Sequence, residues 1–593
     1  KTPKPQNPKT PQPKPHPVKT LGVSTYSNHL TVDMNASDPY DSVPDLCNLA
    51  SFAANSQDMF KFKQELTPAE ISALASLLAS GAEIEYLYLF KELPAGAGTE
   101  LGEAIQRFGS IRTLSLGYNL SASEPAPELL RLIAASATPA LEQLDIYRLN
   151  LDDSTLCDSF GKFSALHKLS ITDCDFNTPL LAERINEFPA LESLRITYRE
   201  SVPAGVMMLV AALENFPVVA ELNLSHVGID VESRRLIGEL VALGEIRKLN
   251  LIDCKLGDEG ISEIVTSILA SGRNRCELWE LCLPSNGIES AGAQMIAELV
   301  ARSPHLRCLN LDFNPIGAIA AEAIKKFANT LEELNISKCG LGPREAVLLL
   351  SPPAYPALTT LRITNNYVGN LGAGALAQFL LGSGGCTLKE LRMESNDITE
   401  AGALELANGF AKAYALRSIR MEVNQLGPRG AAAMLDAIAI VSTVQMDMIY
   451  FDQCEIGDDG AEAAGRLIMG RSCKRISLNQ NEIHDKGVKA IADSIEASEC
   501  MIELLSLYVN PVGDAGVKYF LDKVLYESKI ASKIGIGLSC IGVEEAMAVR
   551  RMTEVHGTRK FLSYSDSIKD KKARDILNKA EHSSKSEGWT MVC

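Results

Sequence analysis

Apolar residues recur along this chain in one pattern, with leucine or a similar residue at the first, fourth and sixth positions of a short segment. An asparagine or cysteine follows three positions later, and then come a leucine or isoleucine, a glycine and an alanine-rich stretch. Clear copies begin at Leu278, Leu388 and Leu416. The alternation predicts a strand with one buried face, and the later stretch predicts a helix. Repetition every 25 to 32 residues indicates a solenoid.

Sixteen copies of the pattern can be aligned, less faithfully near the start of the chain. Helices are bulkier than strands, so we expect the array to bend, with a concave parallel sheet and helices on the convex side. The predicted strands begin at Ile84, Ile111, Leu141, Leu166, Leu191, Val219, Ile246, Leu278, Leu306, Leu331, Leu358, Leu388, Leu416, Met446, Cys473 and Ile502.

The motif L-x-x-L-x-L-x-x-N/C-x-L/I resembles the ribonuclease-inhibitor-like class of leucine-rich repeats. The resemblance covers roughly residues 84–541. It implies an α/β leucine-rich-repeat horseshoe of about sixteen repeats. The class includes ribonuclease inhibitors, Ran GTPase-activating proteins, sensor regions of innate immune receptors and subunits of ciliary and cytoskeletal assemblies. The resemblance therefore implies protein binding without naming the partner.

Two further positions of the repeat have a predicted structural role. The asparagine or cysteine should be buried where the chain leaves the strand, and its side chain should bond to loop backbone groups as a ladder. The glycine after it, as at Gly287, Gly402, Gly457 and Gly487, is expected in a tight turn. The ladder residues are Asn286, Asn314, Cys339, Asn366, Asn396, Asn424, Cys454, Asn481 and Asn510.

Four segments are predicted along the 593 residues. Residues 1–20 form a basic arm of lysine and proline that favours an extended conformation. Residues 21–83 form a lead-in that ends in a helix, whose capping box begins at Thr67. The repeats occupy 84–541, and a helical cap and tail occupy 542–593.

Charge and cysteine usage narrow the classes of partner and compartment. The net charge is −17, and the arm carries five lysines and no acid, so the remainder carries −17 − 5 = −22. Such a body repels nucleic acid, and the chain has no apolar run long enough to span a membrane. The 14 cysteines show no zinc-ligand spacing and suggest reduced core thiols of an intracellular protein, cytoplasmic or cytoskeletal. Location in an organelle after leader removal stays open.

Candidate binding residues lie on the predicted concave face. Arg362, Arg392 and Arg420 occupy the position between the last two strand leucines in successive repeats, and Tyr450 follows them. Nearby carboxylates could simply neutralise this row, or the row could anchor an acidic partner segment. The further candidates are Trp279, Phe313, Asp452 and Tyr508 on the repeats and Lys4, Lys9 and Lys14 on the arm, the last three for an acidic surface.

No enzyme is predicted, because the chain has no phosphate-binding loop, no H-E-x-x-H motif and no evident nucleophile–base pair. The sequence indicates no catalytic residue, cofactor or metal site. The favoured function is a scaffold or adaptor subunit of a larger intracellular assembly with protein partners, for which a cytoskeletal or ciliary assembly is one setting. A regulator of a small GTPase and a protein inhibitor of an enzyme are the alternatives.

Overall fold

The computed structural model describes most of the chain between residues 58 and 526. The predicted arm, including Lys4, Lys9 and Lys14, lies outside the described residues, as does the predicted cap and tail. The described residues are 58–62, 66–80, 84–89, 93–108, 111–117, 125–135, 141–148, 150–151, 163–176, 181–183, 185, 188–197, 203–213, 219–272, 275–317, 324–325, 329–351, 355–382, 387–441, 446–470, 473–498 and 502–526.

The described strands form one parallel sheet of 17 strands and a separate pair, β5 and β7. Strands of the large sheet pair in chain order. The strands are β1 Asp58–Phe62, β2 Ile84–Leu89, β3 Thr113–Gly117, β4 Gln143–Tyr147, β5 Asn150–Leu151, β6 Lys168–Thr172, β7 Asp175–Phe176, β8 Ser193–Thr197, β9 Glu221–Ser225, β10 Lys248–Asn250, β11 Glu280–Cys282, β12 Cys308–Asn310, β13 Glu333–Asn335, β14 Thr360–Arg362, β15 Glu390–Arg392, β16 Ser418–Arg420, β17 Met446–Tyr450, β18 Cys473–Ser477 and β19 Leu504–Ser506.

Helices connect the strands on the other face of the sheet. The predicted capping box is confirmed: Glu70 N donates to Thr67 Oγ1 over 3.3 Å, and Thr67 N donates to Glu70 Oε2 over 2.7 Å. The α-helices are α1 Pro68–Ala79, α2 Ala97–Phe108, α3 Pro125–Ala134, α4 Pro203–Leu213, α5 Val231–Leu243, α6 Gly257–Ala270, α7 Ser290–Ala301, α8 Pro343–Leu350, α9 Gly369–Leu381, α10 Glu400–Phe410, α11 Gly427–Ile440, α12 Gly457–Met469, α13 Asp485–Ala497 and α14 Asp514–Phe520. A π-helix, Leu521–Tyr526, follows α14.

The leucine-rich-repeat solenoid predicted from the sequence is confirmed, with a concave sheet and convex helices. Leu388, Leu391 and Met393 are fully buried, as the alternation requires. All sixteen predicted strands are present, and the sheet holds one strand more than the prediction. This is β1, which pairs in parallel with β2. Its segment falls in the predicted lead-in, because it lacks the spacing of the later repeats.

The predicted ladder of buried side chains is present. Asn424 Oδ1 accepts hydrogen bonds from the backbone of Asn396 and Ile398, both at 3.1 Å. Its Nδ2 donates to the carbonyls of Met393 at 3.0 Å and Met421 at 2.8 Å. One amide thus supplies partners for backbone groups of two repeats. Where the ladder residue is a cysteine, it makes only some of these hydrogen bonds. The thiols of Cys339 and Cys454 each donate to a carbonyl of the preceding repeat.

The repeat glycines have two different roles, and only one was predicted. Gly287 and Gly457 have φ of +65° and +56°, so they occupy turns that favour glycine. Gly402 instead lies inside α10, where an added Cβ would come within 2.5 Å of Asn370 Oδ1. That oxygen accepts hydrogen bonds from Thr399 N at 2.9 Å and Gly402 N at 3.1 Å. The expectation of a tight turn was wrong there, because a side chain of the preceding helix caps α10.

Candidate protein-binding surface

The three arginines form the row that the sequence predicts. Arg362 pairs in register with Arg392, Arg392 with Arg420, and Arg420 with Tyr450. Neighbouring strands lie about 4.8 Å apart, so the four side chains leave the sheet side by side. The arginine side chains keep 35%, 36% and 28% of their surface exposed. They are therefore accessible to a partner from the concave side.

One carboxylate neutralises two of these arginines. Glu390 Oε1 lies 3.3 Å from Arg362 Nε and 2.6 Å from Arg392 Nε. Burial alone would raise the pKa of Glu390, but the two guanidinium groups lower it below its usual value. Glu390 therefore balances the charge of one arginine in this pair.

Arg420 is held differently from its neighbours. Its Nε is 3.9 Å from Glu422 Oε1, and its guanidinium carbon lies 4.8 Å from the centre of the Tyr450 ring. The buried Nε makes no hydrogen bond. A buried donor without an acceptor is costly, so Arg420 is less fully paired inside the chain than Arg392 is.

A row of carboxylates runs beside the arginines. Glu394, Glu422 and Asp452 each lie two residues after the row position of their repeats. Burial, with contributions from the neighbouring Glu394 and Asp452, raises the pKa of Glu422 to about 7. Asp452 accepts hydrogen bonds from Ser477 Oγ at 2.7 Å and from Asn479 N and Nδ2, both at 2.9 Å. Asp452 is thus held by the next repeat.

Trp279 is exposed at 44% and lies between two arginines. The guanidinium carbons of Arg247 and Arg307 lie 5.7 Å and 5.9 Å from its ring centre. All three residues hold the second position of successive repeats. The arginines were missed because only the position between the last two leucines was compared along the chain. Comparison of the second position would have found them.

The remaining aromatic candidates lie where the chain leaves its strands. Phe313 has a φ of +57° and is 49% exposed, with Lys338 Nζ 3.7 Å from its ring centre. Positive φ is uncommon for a residue other than glycine, and here it turns the ring away from the core. Tyr508 follows β19 and its N–H donates to Asn479 Oδ1 at 2.7 Å.

The predicted residues do not form one patch. Trp279 immediately precedes β11, whereas Phe313 lies three residues beyond the end of β12. Because the strands are parallel and in register, these two side chains lie at opposite edges of the concave sheet. The arginine row, with Tyr450 and Asp452, forms a separate group on β14–β17 and the loop that follows.

Comparisons with known proteins agree with the repeat pattern. A sequence profile described as "Leucine Rich repeat" matches residues 246–265, 302–325, 386–407 and 474–492. The chain is 25% identical to ribonuclease inhibitor of Mus musculus over 321 residues, 53% of this chain and 69% of that protein. It is 27% identical to ribonuclease inhibitor of Sus scrofa over 304 residues, 50% of this chain and 65% of that protein.

Two further matches are more distant or more partial. The chain is 26% identical to NACHT, LRR and PYD domains-containing protein 5 of Mus musculus over 239 residues, 39% of this chain and 20% of that protein. The crystal structure of an internalin from Listeria monocytogenes str. 4b F2365 covers 73% of this chain and 88% of its own, with 16% identity and a TM-score of 0.33. A TM-score of 0.33 is too low to support a conclusion about this chain.

The fold and its surface define a leucine-rich-repeat protein-interaction solenoid. Within that class the chain carries a repeat pattern like that of the ribonuclease inhibitors, to which its sequence is similar. Among the described residues, no helix is both long and apolar enough to cross a membrane.

Proposed function

We propose that this chain is a non-catalytic scaffold or adaptor subunit of an intracellular assembly, and that its arginine row binds an acidic segment of a protein partner. The observation that carries the proposal is the in-register row of Arg362, Arg392 and Arg420, which ends on Tyr450. Three guanidinium groups face solvent beside one strongly engaged carboxylate, Glu390.

The chemistry of the row favours a carboxylate-bearing peptide. Guanidinium groups bind carboxylates through two parallel hydrogen bonds, and the spacing of neighbouring strands presents a donor about every 4.8 Å. The side chain of Arg420 is 28% exposed, and the Tyr450 ring provides an apolar wall beside its guanidinium. An extended acidic segment that runs across the strands would meet one arginine per repeat.

The lysine-proline arm, residues 1–20, provides a second contact in this proposal. Its five lysines suit an acidic surface, and its prolines limit the conformational entropy lost on binding. A cytoskeletal setting fits an acidic polymer and rests on analogy with other leucine-rich-repeat subunits. The arm and the arginine row would then hold two members of the assembly together.

The test is quantitative affinity capture with the full chain, the chain without residues 1–20, and charge-reversal variants. We expect Arg392→Glu with Arg420→Glu to reduce recovery of the partner by at least about tenfold, since each fully paired guanidinium contributes more than about 1 kcal/mol. The matched control is Arg429→Glu, which changes a 76% exposed arginine on the helical side of the same repeat as Arg420. Equal recovery by all variants would contradict the proposal for the row.

Removal of the arm separates the alternatives. Loss of several subunits together from the chain without residues 1–20 would support a scaffold. Recovery of a single small GTPase or a single enzyme, equally by the full and the shortened chain, would instead favour a regulator or an inhibitor.

The inhibitor alternative has specific support, because two of the relatives named above, at 25% and 27% identity, are ribonuclease inhibitors. Its test is a ribonuclease activity assay with increasing amounts of the full chain. Complete inhibition at a one-to-one ratio, unchanged by removal of the arm, would establish this alternative over the scaffold. Activity that stays constant at excess chain would exclude inhibition of the ribonuclease used.

A further inference from the structure

Two thiols and a carboxylate meet on the concave face between β11 and β12. The Sγ atoms of Cys282 and Cys308 and a carboxylate oxygen of Glu280 all lie within 4.8 Å of one another. Cys282 Sγ is 3.4 Å from Glu280 Oε1. In the register of the sheet Cys308 lies opposite Glu280, and Cys282 follows Glu280 by two residues on the same strand. The three side chains therefore share one side of the sheet.

These thiols differ from the ladder cysteines of the fold. Cys254, Cys339 and Cys454 are buried, and each donates its S–H to a backbone carbonyl of the preceding repeat. Their place in the repeat explains them as structural residues. Cys282 instead points its thiol at a carboxylate and at the thiol of Cys308. No requirement of the repeat accounts for that arrangement.

We propose that Glu280, Cys282 and Cys308 form a binding site for a thiophilic divalent cation such as Zn²⁺, with a fourth position left to water or to a group of a bound partner. Zn²⁺ takes thiolate sulfur at about 2.3 Å and carboxylate oxygen at about 2.0–2.2 Å in a tetrahedron, which places ligand atoms about 3.4–3.8 Å apart. The 3.4 Å between Cys282 Sγ and Glu280 Oε1 already has that spacing. The remaining separations need only small side-chain rotations.

A cation suits the cluster better than a disulfide does. Cys282 lies opposite Asn310, so Cys308 is its diagonal neighbour on the adjacent strand. Diagonal neighbours on one face of a sheet have Cα atoms about 7–8 Å apart, beyond the usual limit for a disulfide. A metal ion bridges that gap without movement of the backbone.

The lysine of the neighbouring strand β10 does not neutralise Glu280, so the cluster can accept a cation from solution. Lys248 lies opposite Glu280 in the register of the sheet, but its ammonium is hydrogen-bonded to Glu221. Asn250, opposite Cys282 on β10, has a buried Oδ1 with no hydrogen-bond partner. That oxygen could accept from a metal-bound water.

The test is a Co²⁺ titration of the full chain, reduced and freed of metal with a chelator. We expect one equivalent of Co²⁺ to produce thiolate-to-metal charge-transfer absorption, and Zn²⁺ to abolish it by displacement. Cys282→Ser and Cys308→Ser should each weaken binding by more than about tenfold, since even outer-shell partners of a metal contribute ten- to a hundredfold.

The carboxylate has a control in an exposed glutamate that lies far from the two thiols. Glu280→Gln should weaken Co²⁺ binding by at least about tenfold. Glu405→Gln should leave it unchanged, because Glu405 is exposed on helix α10 and is not part of the cluster. Absorption that survives in the Cys282→Ser, Cys308→Ser double variant would overturn the proposal and assign the metal to other thiols.

A second measurement needs no substitution and so cannot fail through misfolding. Cys308 is partly exposed, so an alkylating reagent should modify it in the metal-free chain. Stoichiometric Zn²⁺ should slow that reaction at least about tenfold, and a chelator should restore it. Alkylation of Cys308 at the same rate with and without Zn²⁺ would overturn the proposal.

Discussion

The repeats before Leu278 and those from Leu278 onward hold the same fold by different means. In the earlier repeats the ladder position carries residues as different as Arg199, Val227 and Cys254, whereas every later copy has asparagine or cysteine there. Strands β3 and β4 pair over five residues, but β14 and β15 pair over three. Thus the later repeats use side-chain amides where the earlier ones use a longer backbone ladder.

The concave faces of the two regions also differ. Ser115, Asp145 and Ser170 hold the row position in the earlier repeats and are buried at 1%, 9% and 7% exposure. Ser115 Oγ donates to Asp145 Oδ2 at 2.9 Å, so these two polar groups satisfy each other. The later repeats place partly exposed arginines at the same position in three successive repeats, whereas the earlier repeats carry a single arginine there, Arg195. Because the region with the regular ladder also carries the accessible charge, we expect it to do the binding.

The largest expected effect comes from replacing a ladder asparagine of the later repeats with valine, the residue at the ladder position of an earlier repeat, Val227. Asn424→Val leaves Asn396 N, Ile398 N and two carbonyls without their partner. Each unpaired buried group costs about 1–3 kcal/mol, so for four groups we expect a loss of at least about 4 kcal/mol in the free energy of unfolding, measured with urea. Val227→Ala should cost only about 2 kcal/mol or less, for its lost methyl groups. Equal costs would mean that the ladder contributes no more than ordinary packing.

The second effect is a pH dependence that only the later region should show. Burial raises the pKa of Glu422 to about 7, above the value near 4.3 of an unfolded chain. The folded state therefore binds more protons between these values, and its stability falls as pH rises from about 4.3 to 7. Glu422→Gln should remove this loss and raise stability at pH 8 by about 4 kcal/mol at most.

The equivalent positions of the earlier repeats carry Tyr147, Thr172, Thr197 and Ser225, which do not titrate in this range. Glu405→Gln, on an exposed part of α10, is the control and should leave the pH profile unchanged. A profile for Glu422→Gln parallel to that of the natural chain would show that Glu422 titrates normally.

The smallest expected effect is at Gly402, whose lack of a side chain leaves room for Asn370 of the preceding helix to cap α10. Gly402→Ala would place its Cβ 2.5 Å from Asn370 Oδ1, so we expect a loss of about 1–3 kcal/mol in thermal or urea unfolding. Gly374→Ala is the control, since a Cβ there meets nothing within 4 Å in a helix. It should stabilise the chain by about 0.5–1 kcal/mol. A neutral Gly402→Ala would mean that the cap adapts at little cost.

The predicted fold follows from features that each repeat carries within itself. The leucine alternation and the capping box at Thr67 specify local structure, so strands, helices and their order could be predicted. Strand β1 could not be predicted, because its segment has neither the repeat spacing nor the ladder residue. Its pairing with β2 determines its position in the sheet. The arginine row was predictable because one position of a regular repeat defines one row.

What the sequence alone determined is the periodic part: the solenoid, the ladder, and the row of Arg362, Arg392 and Arg420. Only the tertiary structure decided which residues of neighbouring repeats touch. It placed Trp279 between Arg247 and Arg307, divided Glu390 between two arginines, and brought Cys308 to Glu280 and Cys282. Most of these contacts join residues about 30 positions apart, and side-chain rotamers and strand register, rather than the spacing along the chain, determine them.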